Sequence, residues 1–316
     1  MARYGRRKRV KYELNENVNR DIVPGLHQTR VLTLPDNPAH KVSTMEFSSL
    51  GQFREACKSI TRQWHEGDTW SGGADPCLGY HQALDTMSQG LDSFIKPSDE
   101  LIDKLERILP EFHLEQWQRV FDVVGALPNV PAFLTGEPLT MIRRKRVANQ
   151  AAPLTIFVDL ICTVGVPNSY LFKRGAAILA LTRILAIRRP VTLYLGMMAD
   201  KNGDAYQCSI TTIPVDTAPL DLARAAYMFA HGSFNRGMIY KYAMQHADYR
   251  GIWAWMNSNK HRDLGQSVCK TVFGTDVLYI PPLMSQDADY HVVVNEPERW
   301  IKERVERYGM SGLSDD

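Results

Sequence analysis

Four consecutive cations, Arg143, Arg144, Lys145 and Arg146, stand just ahead of an apolar run that begins near Pro153. Closely spaced cations suit a polyanion, because each phosphate they neutralise releases a condensed counterion and binding gains from mass action. Arginine adds a bidentate grip on phosphate and stacking on bases. A near-identical run, Arg6-Arg7-Lys8-Arg9, lies within the first twelve residues, which hold six cations and no acid. Between Thr140 and Pro190 there are nine cations and one acid, Asp159, although the whole chain carries only +2. Arg188 and Arg189 close the cationic helix that starts near Lys173. Charge this uneven points to local polyanion contact and not to a globally basic surface. For a single run, a solvated tail or loop is the plainer reading. Three cationic stretches in one chain bring the two readings level.

A second constellation, Arg236 to Arg262, holds five Lys or Arg, one acid (Asp248), and the aromatics Tyr240, Tyr242, Tyr249, Trp253 and Trp255. Single-stranded nucleic acid is held by cations that follow its backbone and aromatics that stack on its bases, at about 1–3 kcal/mol per stacked base. Lys241 and Arg250 are interleaved with these rings. Trp253 and Trp255 are two apart, so they share a side only on an extended segment. The plainer reading is that the rings anchor a helix to a core.

Other residues capable of chemistry are less organised. "HGSFNRG" (231–237) has the small polar residues of a phosphate-cradling loop, but Gly232 also serves as a helix C-cap. Asp159 ends an apolar strand pattern, where α/β folds place ligands. None of the HExxH, GxSxG or paired-Cys motifs of hydrolases, zinc sites or deaminases occurs. The expectation is a non-catalytic protein with no metal and no cofactor. Cys57, Cys77, Cys162, Cys208 and Cys269 are scattered and odd in number, which reads as a reduced, cytoplasmic chain. No apolar run reaches the roughly 20 residues of a membrane span, so no membrane partner is expected.

The elements that must position these residues fall into three parts: a flexible basic arm (1–43) with one short strand near Arg30–Leu34, a mostly helical region (44–150), and an α/β domain (151–316). Helices are predicted over 49–65, 76–89 and 98–109 from three- and four-residue apolar spacing and capping signals. "FDVVGALPNVPAFLTGEPLTM" (121–141) is broken by Gly and Pro and reads as irregular. "LTIFVDLICTV" (154–164) is a strand buried on both faces. A helix over 169–187 and a hairpin, "VTLYLGMMA" and "AYQCSITTIPV" turning at Asn202-Gly203, follow. "PLDLARAAYMFAHG" is a helix, "TDVLYIPP" and "YHVVVN" are strands, and "EPERWIKERVERYG" is a terminal helix. The expected fold class is α/β, an open sheet covered by helices.

Strand, Asp159, turn and the helix with "RGAAILAL" are similar to the opening of a von Willebrand factor A-type domain over about 154–198. That family's metal motif, Asp-x-Ser-x-Ser, reads Asp159-Leu160-Ile161-Cys162-Thr163 here, without either serine. Three further stretches, "WSGGADPCLGYHQALDTMSQG", "VGALPNVPAFLTGEPLTMI" and "VGVPNSYLFKRGAAILALTRIL", resemble a family of largely uncharacterised proteins of virulent tailed phages. Within that setting the chain is similar to the single-stranded-DNA-binding cofactor of a phage RNA polymerase, in lacking the pattern of an OB barrel and in its basic and aromatic patches.

The resemblance and the charge map together imply a sequence-tolerant single-stranded-DNA-binding protein of early transcription or replication in the host cytoplasm. Arg143 to Arg146 with Arg188 and Arg189 are the expected phosphate contacts. Tyr240, Tyr242, Trp253 and Trp255 are the expected stacking groups, assisted by Lys241 and Arg250. A phage RNA polymerase is the expected protein partner, and an oligomer is compatible with all of this. The alternative is a protein-interaction module with a von Willebrand A-like sheet; an enzyme is a third reading for which no spacing names a substrate.

Overall fold

The computed structural model describes residues 27–35, 37–68, 75–92, 99–100, 103–104, 107, 117–146, 152–163, 165–201, 204–216, 221–246, 261–283 and 288–308. The strands β1 (Gln28–Leu34) and β2 (Asn37–Glu46) come first, then the helices α1 (Leu50–Cys57) and α2 (Tyr80–Gln89). Next are β3 (Trp117–Asp122), β4 (Leu127–Pro128), the five-residue helix α3 (Val130–Leu134) and β5 (Met141–Arg146). They are followed by β6 (Leu154–Asp159), α4 (Asn168–Arg188), β7 (Val191–Lys201), β8 (Asp204–Val215) and α5 (Leu222–Ala230). A π-helix (Ser233–Ile239) runs directly into α6 (Tyr240–His246). The chain then forms α7 (His261–Phe273), β9 (Val277–Ile280), α8 (Ala288–Asn295) and α9 (Pro297–Tyr308).

Six strands make the main sheet, in the order β1-β2-β8-β7-β6-β9. β6 lies parallel to both β7 and β9, whereas β7 and β8 form the antiparallel hairpin expected from the sequence. The sheet is therefore mixed, and the fold is α/β. β6 is buried along its length because both faces are covered. Ile156 and Val158 join the larger core with α4, α5 and α9, while Phe157 joins Cys269 and Val268 of α7 on the other side. α4 crosses close to α5, and a Cβ at Gly175 would stand 2.5 Å from the Phe229 Cβ. Only glycine allows the two backbones to approach so closely.

Several elements differ from the sequence reading. β2 pairs in parallel with β8, so residues expected to end the arm form an edge of the main sheet. α1 stops at Cys57, short of the expected 65. The stretch read as irregular or helical builds a second, three-stranded antiparallel sheet, β3-β5-β4. "YHVVVN" lies in α8 and is not a strand, because a short apolar run suits a buried helix as well as a strand. The boundary expected at 150 does not separate two cores: Phe53, Cys57, Trp64 and Tyr80 belong to the same buried cluster as Leu154, Tyr227 and Trp300.

Candidate nucleic-acid interface

Arg143–Arg146 is neither a linker nor a loop. It is most of β5, the central strand of the small sheet. The register sets Trp117 opposite Arg146, Arg119 opposite Arg144 and Phe121 opposite Ile142, so these six positions share one face. Leu127 pairs with Ile142 and extends that face. Gln118, Val120 and Asp122 stand opposite Lys145, Arg143 and Met141 on the other face. Arg143 is an exposed side chain whose guanidinium lies 3.5 Å from the Asp122 carboxylate. Phe121 and Leu127 are each 58% exposed. The first face thus joins three arginine positions with two aromatic ones. Trp117, Arg119 and Phe121 were not singled out from the sequence. Their two-residue spacing was the available signal, and the Gly and Pro residues that follow concealed it.

The remaining expected site residues scatter. Arg189 is buried. Its Nε donates to the Ala152 carbonyl at 2.6 Å, its Nη1 donates to the Tyr308 carbonyl at 3.1 Å, and its Nη2 lies 3.4 Å from the Asp276 carboxylate. It clasps backbone and is not a phosphate contact. Arg188 is the last residue of α4, and nothing is described of its side chain. Tyr242 is buried, with its ring 5.5 Å from Phe47 and 5.7 Å from Phe53, and its hydroxyl 2.9 Å from His27 Nδ1. It belongs to the core and has no free face for a base. Tyr240 is half-buried, and burial raises its phenol pKa. Lys241 sits 5.0 Å from the centre of the Trp64 ring, and burial lowers its pKa. Arg250, Trp253 and Trp255 lie outside the described residues.

A second polar cluster lies at the carboxyl end of β6. Asp159 is fully buried, its Oδ1 accepts from the Ile161 N–H at 3.0 Å, and its Oδ2 has no hydrogen-bond partner. Burial pushes its carboxyl up to about 7, against the pull of Arg174. Arg174 donates to the main-chain carbonyls of Asp159 and Pro281 at 2.9 and 2.6 Å. Arg236, on the π-helix, donates to the carbonyls of Thr163 and Val166 at 2.5 and 3.1 Å. "HGSFNRG" is this buried π-helix together with its N-terminal approach, and not a phosphate loop: Ser233 to Ile239 are all buried. His231 is held neutral, its pKa lowered to about 4 by burial. The guanidiniums here fix the loop between β6 and α4 to its neighbours and leave Asp159 as a structural acid.

The match to known sequences adds a family but no activity. The chain belongs to a family described as a domain of unknown function, DUF7192, which covers residues 17–309. No curated protein and no solved structure matches the chain.

Proposed function

We propose that this member of the family binds single-stranded DNA, without turnover and with little sequence preference, on the face of the β3-β5-β4 sheet. The observation that carries the reading is the register that sets Trp117, Arg119 and Phe121 beside Arg146, Arg144 and Ile142. Cations track a phosphate backbone and aromatics stack on unpaired bases, and duplex DNA does not offer its bases in that way. This assigns the phosphate role to Arg144 and Arg146 and withdraws it from Arg189; stacking passes from Tyr242 to Trp117 and Phe121. On the resemblance to tailed-phage proteins, the setting is early transcription or replication in a host cytoplasm, with a phage RNA polymerase as protein partner.

Titration of a labelled thirty-nucleotide single strand and of its duplex, each at 50 and 200 mM salt, tests the reading. Tighter binding of the single strand, weakening steeply with salt, is the expected result. Equal binding of both, or no binding at 50 mM, would remove it.

A second reading, a protein-interaction module, draws on a separate observation. Val123, Val124, Val130, Phe133, Leu134 and Leu139 are 44–77% exposed, all beside the same sheet. Apolar exposure so concentrated marks contact surfaces. Capture of a purified phage polymerase that is abolished by Phe133→Ser and Leu134→Ser, with DNA binding intact, would favour this reading.

A further inference from the structure

His27 immediately precedes β1, and His246 is the last residue of α6. Folding brings the two imidazoles to 6.4 Å between ring centres. Tyr242 completes a triangle with them, 6.1 Å from His27 and 4.3 Å from His246. The Tyr242 hydroxyl lies 2.9 Å from His27 Nδ1, and the Ser59 hydroxyl, just beyond α1, lies 2.9 Å from His246 Nε2. These contacts tie the start of β1 and the end of α1 to the end of α6, across 215 and 187 positions of sequence. β1 is an edge of the main sheet, and its first four residues are exposed. The Arg30–Glu46 pair ties its start to β2. The His27 ring ties it to Phe47 and Tyr242, both members of the core cluster.

Both imidazoles are half-buried, so protons reach them while burial disfavours the charged form. Among the described residues no carboxylate touches either ring. The charged groups nearby are engaged elsewhere: Glu46 with Arg30, Lys58 with Glu55, and Lys241 with the Trp64 ring. Burial raises the Cys57 thiol and the Tyr242 phenol, which leaves both neutral. Each imidazole is accordingly held below its ordinary 6.5, His27 by burial, His246 by burial and by His27. One imidazolium can lean on the Tyr242 ring, but the second must enter beside a like charge.

We propose that His27, His246 and Tyr242 form an acid-released latch, closed when both imidazoles are neutral and opened when both carry a proton. Opening frees the start of β1 from the end of α6 and leaves the rest of the main sheet in place. The opened chain takes up these protons first. The latch is therefore at full strength above about pH 6.5 and is lost as pH falls through the lowered folded values. Asp159 acts in the opposite sense, since its burial favours the protonated fold. The latch does not depend on the nucleic-acid reading of the small sheet.

Two measurements on the full chain test it. The first follows both imidazoles by NMR as pH is lowered. Midpoints below 6.5 are expected for both, and His27→Gln should raise the His246 midpoint by removing a like charge. A midpoint at or above 6.5 for either ring, or a His246 midpoint that His27→Gln leaves in place, overturns the latch. The second compares amide hydrogen exchange at pH 7.5 and 5.0, corrected for the intrinsic effect of pH. Protection over residues 28–31 and 242–246 should fall about three- to thirtyfold at the lower pH, with β6 no less protected. His27→Gln/His246→Gln should be equally protected at both. Parent protection that ignores pH overturns the latch, and so does a loss at pH 5.0 that persists in the double variant. The parent's own titration and exchange decide even where the double variant does not fold.

Discussion

Arg174 donates to the main-chain carbonyl of Asp159 at 2.9 Å, and one oxygen of the Asp159 carboxylate has no hydrogen-bond partner. The guanidinium is spent on backbone, so the acid gains only partial compensation for leaving water. Burial accordingly pushes the Asp159 carboxyl up to about 7 and the Arg174 guanidinium down to about 10.

A pH dependence of stability follows. The ordinary value for this carboxyl is 3.8, so the folded protein holds the proton more tightly than the unfolded chain does. The stabilising contribution is complete below about pH 4 and is lost as pH rises through about 7. Asp159→Asn keeps an acceptor for the Ile161 N–H and cannot ionise. In urea unfolding, its stability relative to the parent should improve between pH 4 and pH 7.5 by about 2–4 kcal/mol. A difference that stays constant over that range would contradict the assignment.

Arg189 should behave as a buried clasp. Arg189→Ala removes the donor from the Ala152 and Tyr308 carbonyls and the partner from Asp276. Each main-chain carbonyl that loses its charged donor costs about 1.5–3 kcal/mol, and the ion pair adds little because the Asp276 side chain is half exposed. Thermal unfolding should show a large fall in stability, while the salt slope of single-strand binding by the folded fraction stays as in the parent. A lower slope with unchanged stability would return Arg189 to the interface.

Tyr242→Phe separates core from stacking in the same way. The ring remains against Phe47 and Phe53, and only the hydroxyl beside His27 is removed. The expected cost is about 1 kcal/mol in denaturant unfolding, with single-strand affinity unchanged. A fall in affinity without a fall in stability would place the ring at the interface after all.

Much of the fold was legible because its signals were local. The unbroken apolar run of β6, the long apolar helix α4 and the Asn202-Gly203 signal between β7 and β8 each name their element without help from the rest of the chain. The β1-β2 extension was hidden because β2 acquires its place from β8, more than 160 residues away. α8 was misread because Val292, Val293 and Val294 carry no period that separates a strand from a buried helix. The small sheet was masked by Gly125, Pro128, Pro131, Gly136 and Pro138, which in fact lie in its turns, in the two-residue β4 and in α3. At the site, Arg188 and Arg189 look alike in sequence. The burial of Arg189 depends on Tyr308, which lies 119 positions later. Tyr242 likewise owes its burial to Phe47 and Phe53, which its own neighbours do not announce.

The central claim assigns nucleic acid to one face of the β3-β5-β4 sheet, and the strand's own alternation supplies the test. Arg144→Ala/Arg146→Ala removes two cations from the proposed face, and Arg143→Ala/Lys145→Ala removes two from the other. Net charge changes equally in both. The account predicts that the first pair lowers the salt slope for a single strand by about 1.4, that is about 0.7 for each phosphate no longer neutralised, with a matching fall in affinity. The second pair should leave the slope nearly as it was. Equal reductions from both pairs would mean that the run acts only as diffuse charge, and no reduction from the first would contradict the interface.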